Sequence, residues 1–271
     1  MDAGNVANKN NLKNNRMKKT KILTLLIGIL VYSCNQDTQI STEKKEFITS
    51  FESVDDFSGF YITPQGYLGT SFHELTDSIV HSGTYAHKAW IEGTNPPSTP
   101  TVNNNHRAYP TIQFTKTKEG VFTTPCYITL WVWVDMDLIP NLTGGEDDWL
   151  SLATFTDDES DNWARTVLVN LSYDGFVHLG NVPTQGAQTH IFQTNTLKLP
   201  QKEWVEIKIY IDFSKEGYAK VWQNGTLVSY ATINNIDNKL AQAHFGLYCP
   251  PQMESGSVYN DDIVIKEVDK E

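Results

Sequence analysis

From Glu46 onward, apolar and polar side chains alternate with a period of two. The clearest run is Trp204-Val205-Glu206-Ile207-Lys208-Ile209-Tyr210-Ile211-Asp212, with aliphatic odd positions and polar or amphipathic even ones. Neighbouring side chains on a strand point to opposite faces, so this run predicts a strand with one buried face. Tyr127–Val134 alternates in the same way. Similar runs predict strands at Phe47–Ser53, Ala86–Ile91, Thr111–Lys116, Trp149–Thr156, Arg165–Ser172, Phe176–Val182, His190–Thr196, Tyr218–Gln223, Thr226–Ala231, Gln242–Tyr248 and Val258–Glu267.

Turn signals separate these runs: Asp174-Gly175, Pro183 to Gly186, Glu216-Gly217, Asn224-Gly225 and Ser255-Gly256. Asn224-Gly225 between Tyr218–Gln223 and Thr226–Ala231 predicts a hairpin whose two turn residues accept positive φ. No stretch carries a helical period over eleven residues. Many short strands and very little helix predict an all-β protein, a β-sandwich or barrel in one domain. Two connections, Gly93–Asn105 and Ile139–Asp148, are long for hairpin loops, the kind that carries function.

The first part of the chain does not belong to this domain. Met17-Lys18-Lys19-Thr20-Lys21 is basic, and Ile22 to Val31 is apolar but short for a membrane span. The run ends in Val31-Tyr32-Ser33-Cys34, which resembles a bacterial lipobox. That resemblance implies a leader and lipoprotein signal peptide over 1–33, with Cys34 lipidated, a lipid anchor as the sole link to a membrane, and residence in the cell envelope. An outer membrane anchor facing the periplasm or the surface fits equally. Residues 34–45 have the composition of a flexible tether, leaving 46–268 as the domain. Met17 is an alternative start.

Cleavage before Cys34 removes six basic and one acidic side chain and deepens the net charge from −11 to −16. Such acidity argues against nucleic acid as a partner. Two cysteines remain, Cys126 and Cys249, and spacing alone leaves open whether they pair.

An ordered set of marks fills the C-terminal half: Trp204-Val205-Glu206-Ile207, then Lys220-Val221-Trp222-Gln223-Asn224-Gly225, then His244-Phe245-Gly246-Leu247-Tyr248, then Tyr259-Asn260-Asp261-Asp262-Ile263. In order and spacing they resemble the concanavalin A-like jelly-roll superfamily, in particular its polysaccharide lyases of the alginate and heparin lyase I type. The resemblance implies two curved antiparallel sheets in a β-sandwich, polysaccharide as partner, a monomer, and no cofactor for catalysis. Phe51-Glu52, Ser82-Gly83-Thr84 and Asp261-Asp262 also resemble the first and last strands of jelly-roll carbohydrate-binding modules. This implies a structural calcium held by Glu52 and Asp262.

Alternation then sorts the candidate sugar-binding side chains. Arg107, Tyr109, Thr111 and Gln113 share one strand face, with His106 beside them, while Ile112 and Phe114 point to the core. Gln242, His244 and Tyr248 share a face of a second strand. Asn170 and His178 are polar positions in otherwise apolar strands, and His190 and Gln193 lie on a run that flanks them. The lyase resemblance places Tyr248 at its catalytic tyrosine. It matches only the first mark of its R-x-E-x-R strand, at Arg107, with Tyr109 and Thr111 standing at the other two.

Elimination on a uronate needs a group that neutralises the carboxylate, a base for the C5 proton and an acid for the leaving oxygen. Arg107 with Gln113 or Asn170 suits the first task, His178 or His190 the second, and Tyr248 the third or both of the last two. Hydrolysis needs two carboxylates about 5–9 Å apart. Asp135-Met136-Asp137 is the nearest approach to such a pair, and it lies at a strand end. The alternative to a lyase is a lipoprotein that binds glycan without cleaving it, using Trp131, Trp133, Trp149, Trp163 or Trp222 as stacking platforms.

Overall fold

In the computed structural model, residues 43–53, 56, 60–61, 69–138, 149–160, 162–183, 189–191, 197–233 and 237–271 are described. The leader, Cys34, most of the tether, Gln193 and the 139–148 connection lie outside them. Lys44–Glu271 form one compact unit.

The strands are β1 (Glu46–Thr49), β2 (Phe60–Tyr61), β3 (Ser71–Thr76), β4 (Ala86–Glu92), β5 (His106–Ala108) and β6 (Thr111–Gln113). They continue as β7 (Phe122–Thr123), β8 (Cys126–Met136), β9 (Trp149–Thr156), β10 (Thr166–Ser172), β11 (Val177–Val182) and β12 (Thr189–Ile191). The last six are β13 (Trp204–Ile211), β14 (Tyr218–Gln223), β15 (Thr226–Thr232), β16 (Lys239–Leu240), β17 (Gln242–Cys249) and β18 (Ser255–Glu267). One 3-10 turn, Phe114–Lys116, ends the strand expected to run through Lys116.

All pairings are antiparallel. The first sheet runs β15-β14-β13-β8-β18-β4-β3, with β1 also paired to β18. The second runs β12-β11-β10-β9-β17-β6-β2, with β5 also paired to β17. β7 and β16 form a small ribbon. This is the β-sandwich jelly roll that the residue pattern and the lyase resemblance imply.

The core lies between the sheets. Ile128, Leu130, Val132 and Val134 of β8 and Val205, Ile207, Ile209 and Ile211 of β13 meet Phe155, Val167, Val169, Phe245 and Leu247 from the other side. Each such side chain contributes about 1.5–3 kcal/mol on burial. The hairpin forms at Asn224-Gly225, with φ of 46° and 78° as its turn type requires.

The two sheets differ in their outward faces. β8 alternates buried and half-buried positions along its whole length. β9 and β10 are buried at every position, including Ser151, Thr154, Thr156, Thr166, Asn170 and Ser172. A buried polar group costs free energy unless it is paired, and the Ser151, Thr156 and Ser172 hydroxyls offset that cost by donating to the Ala153, Ala164 and Phe176 carbonyls.

Cys126 begins a strand of the first sheet and Cys249 ends a strand of the second. Both are buried free thiols, and burial pushes each thiol well above its usual range.

Candidate active site

The register of the second sheet collects the candidate residues into rows. Arg107 stands opposite Tyr248, Tyr248 opposite Ser151, Ser151 opposite Asn170, and Asn170 opposite His178. A second row runs Thr111, His244, Thr154, Leu168, Gly180, His190. A third begins Gln113, Gln242, Thr156, Thr166. Irregularities between Val169 and Asn170 and between Phe245 and Tyr248 let the first row share a face with the other two. In β9 this puts both Leu152 and Ala153 into the core and turns Ser151 outward.

Tyr248 is half-buried among rings. Trp149 lies 4.9 Å away, Tyr109 and His244 each 6.0 Å, all centroid to centroid, and the Arg107 guanidinium sits 5.7 Å over its ring. The side-chain amides of Asn103 and Asn105 donate to the phenolic oxygen at 3.1 and 3.0 Å. Both come from the long loop singled out by its length. Arg107 donates back to that loop, to the carbonyls of Asn103 and Asn105 at 3.3 Å each. The loop and the tyrosine therefore fix one another.

Asn170 is fully buried, and among the described residues its amide nitrogen and oxygen have no hydrogen-bond partner. A Cβ on Gly180 would lie 3.1 Å from that amide nitrogen, so the glycine makes its room. Asn170 lies on the row that holds Arg107 and Tyr248, two strands from the tyrosine.

His244 stacks face to face on Tyr109, with centroids 3.8 Å apart and planes 10° from parallel. Burial, then the charge of Arg107, lowers its pKa to about 3, so it stands as a neutral ring. His178 is also fully buried, with Nδ1 3.5 Å from the Phe176 carbonyl. It lies three strands from Tyr248, roughly 14 Å at the spacing of a sheet. His190 takes its place opposite Gly180.

Four candidate residues have other work. His106 points to the opposite side from Arg107, because alternation along β5 sends it inward with Ala108. It is fully buried, with Nε2 3.0 Å from the Met253 carbonyl and Nδ1 3.2 Å from the Ser71 hydroxyl, and burial lowers its pKa. Gln242 shares the face of His244 but spends its amide on the carbonyls of Asp158 and Ser160, at 2.7 and 2.8 Å.

Glu52 and Asp262 both grip the turn at 81–84. Both oxygens of Glu52 accept the Thr84 N–H, while Asp262 takes the Ser82 hydroxyl at 2.8 Å and His81 Nδ1 at 2.6 Å. Donors, not further oxygens, meet these carboxylates, so the residues as arranged do not fit a calcium ion. Among the described residues no group of three or more His, Cys, Asp or Glu is placed to hold a metal.

Sequence reasoning did not single out Asn103, Asn105, Ser151 or Thr154. Ser151 and Thr154 carry a readable signal: they are polar residues inside a strand whose neighbours are apolar on both faces. The two asparagines carry none, since a loop side chain finds its partner through the fold.

Residues 77–264, more than half of the chain, match the family model described as polysaccharide lyase. The chain belongs to the polysaccharide lyase family. The family match spans β4 to most of β18 and includes Arg107, Asn170 and Tyr248. Among solved structures, the endo-β-1,4-glucuronan lyase of the fungus Trichoderma reesei is similar, with TM-score 0.56 and 12% identity over 82% of this chain and 95% of that one. The cellulose induced protein Cip1 is similar to the same degree, with TM-score 0.56 and 14% identity over 81% of this chain and 96% of that one. At these identities the likeness is one of fold. No curated protein sequence matches the chain.

Proposed function

We propose that this member of the lyase family cleaves a uronate-containing polysaccharide by β-elimination, with Tyr248 at the reacting centre. The observation that carries the reading is the row Arg107–Tyr248–Ser151–Asn170, in which a phenolic oxygen receives two amide N–H groups beside a guanidinium, with the Asn170 amide two strands along the same row. Arg107 and Asn170 neutralise the uronate carboxylate, which lowers the cost of the enolate that forms when C5 loses its proton. The electron pair of that C–H bond becomes the C4–C5 double bond, and the C4–O bond breaks. The leaving oxygen takes a proton.

Tyr248 serves both proton steps in this reading. Its oxygen, supported by Asn103 and Asn105, carries the charge left when the phenol has given up its proton. His178, enclosed three strands away, and His244, neutral and stacked under Tyr109, are less well placed to take a proton from C5. The test is the Tyr248→Phe protein on glucuronan and alginate, read by the ultraviolet absorbance of the unsaturated uronate. Loss of a positioned acid–base group removes about 10²–10⁴-fold of the rate. Unchanged turnover removes Tyr248 from the mechanism.

A second reading is binding without cleavage. It is favoured by the engagement of Arg107 with loop carbonyls rather than with open solvent. Retardation in a polysaccharide-loaded gel with no new absorbance marks that outcome. The lipid anchor at Cys34 and a place in the cell envelope complete the proposal, resting on the lipobox-like Val31 to Cys34. Radiolabelled palmitate incorporated by the native protein and not by Cys34→Ala tests it.

A further inference from the structure

Beside the row of Tyr248 lies a segment that the reaction above does not use. Trp163 and Arg165 both hold positive φ, 50° and 57°, although neither is glycine. Such backbone costs about 1–3 kcal/mol per residue and persists only where the surroundings impose it. Here they do. Arg165 Nε donates to Asp157 Oδ1 at 2.8 Å, and its Nη2 to Asp237 Oδ2 at 2.7 Å. The Ala164 N–H donates to Asp158 Oδ2 at 2.9 Å, and the Ala164 carbonyl accepts from the Thr156 hydroxyl at 2.6 Å. Gln242, almost wholly buried, donates to the carbonyls of Asp158 and Ser160.

All of this fixes one side chain. The Trp163 indole is half-buried, not in the core, and meets His244 at 5.0 Å with planes 52° apart. His244 in turn meets Tyr248 at 6.0 Å, and Tyr248 meets Trp149 at 4.9 Å. The rings form a series, each step close to the length of one sugar residue in a polymer. Pyranose rings present flat C–H faces that pack on aromatic surfaces.

We propose that Trp163 is the stacking wall of a sugar-binding subsite next to Tyr248, and that Gln242, Asp158 and Arg165 are the positioning residues that hold it there. The inference rests on the proposed function and assigns it a neighbouring subsite. It predicts a role in holding polymer, not in moving protons.

The test compares Trp163→Ala, Trp163→Phe and Gln242→Ala with the native protein on glucuronan and on alginate. Trp163→Ala raises KM about tenfold with kcat within twofold, the size of one aromatic contact at about 1.4 kcal/mol. Trp163→Phe recovers most of the loss. Gln242→Ala copies Trp163→Ala although it removes no ring. An unchanged KM in Trp163→Ala, or a loss confined to kcat, overturns the proposal.

If neither polymer is cleaved, the same proteins are compared by gel retardation in each. Weaker retardation of Trp163→Ala then keeps the subsite while the lyase reading fails. Equal retardation overturns the subsite, and no retardation of the native protein overturns both.

Discussion

Replacing His87 with glutamine flattens the acid limb of the stability curve. His87 lies on β4, fully buried, opposite Asn260 on β18. Its ring meets those of Phe51 at 5.5 Å and His73 at 5.4 Å, and the Gly246 backbone of β17 closes over it from the other sheet. Burial lowers its pKa to about 3, the neighbouring His73 pushes the same way, and the Asn260 side chain opposes them.

In the unfolded chain the imidazole binds a proton near pH 6.5. The unfolded state therefore holds a proton that the native state refuses. The stability due to neutral His87 is whole above pH 6.5 and drains away as pH falls toward 3. The slope is about 1.4 kcal/mol per pH unit, and the full loss about 4–5 kcal/mol. Urea midpoints and slopes at pH 7, 6, 5 and 4 measure it. The His87→Gln protein starts lower at pH 7, because a well-packed ring is lost. Between pH 6 and 4 its stability falls less steeply than that of the native protein, by about 1.4 kcal/mol per unit. Parallel curves refute the argument. His244, also lowered to about 3, remains in both proteins and cancels in the comparison.

Gly246 has a φ of 136°, and a Cβ there would stand 2.6 Å from the Ala108 carbonyl. Gly246→Ala thus loses about 1–3 kcal/mol in urea unfolding and disturbs the irregularity that turns Tyr248 toward Ser151. Cys126 and Cys249 are buried thiols held in different sheets, so a thiol reagent labels neither in native protein and both in urea. Labelling of either at the native rate of a surface thiol counts against the burial described.

Much of the architecture is legible in residue order. Trp204–Ile211 alternates because one face meets the core and the other does not, and the strand has those bounds. β3 was not legible: Ser71–Thr76 is an edge strand with one buried residue, and no alternation survives there. The run from Phe47 stops at Thr49, short of Ser53, because Phe51 turns to φ 57° and enters the core. Of the site, alternation gives the faces strand by strand, Arg107 with Tyr109, Thr111 and Gln113, and His244 with Tyr248, while the joining of those faces depends on pairing and on the irregularities beside Asn170 and Tyr248. What alternation cannot convey is which strands become neighbours, so the donors on Tyr248 and the strap under Trp163 were hidden. His106 and Gln242 show the same limit, since a polar side chain near a site and one holding the structure look alike until their partners are seen.

β18 is the last of the described strands, yet it lies inside its sheet, between β8 and β4, and also pairs with β1. Glu46 stands opposite Lys266, so the first and last strands of the domain are bonded neighbours. The sheet cannot close until synthesis has delivered Ser255–Glu267. Until then β8 and β4 present open edges, and a chain stopped before Ser255 keeps both exposed to pairing with other molecules. Contacts so distant in sequence also make folding slow. A domain built this way assembles as a whole only after Ser255–Glu267 has been made, and truncation before that strand removes not a tail but the centre of its sheet.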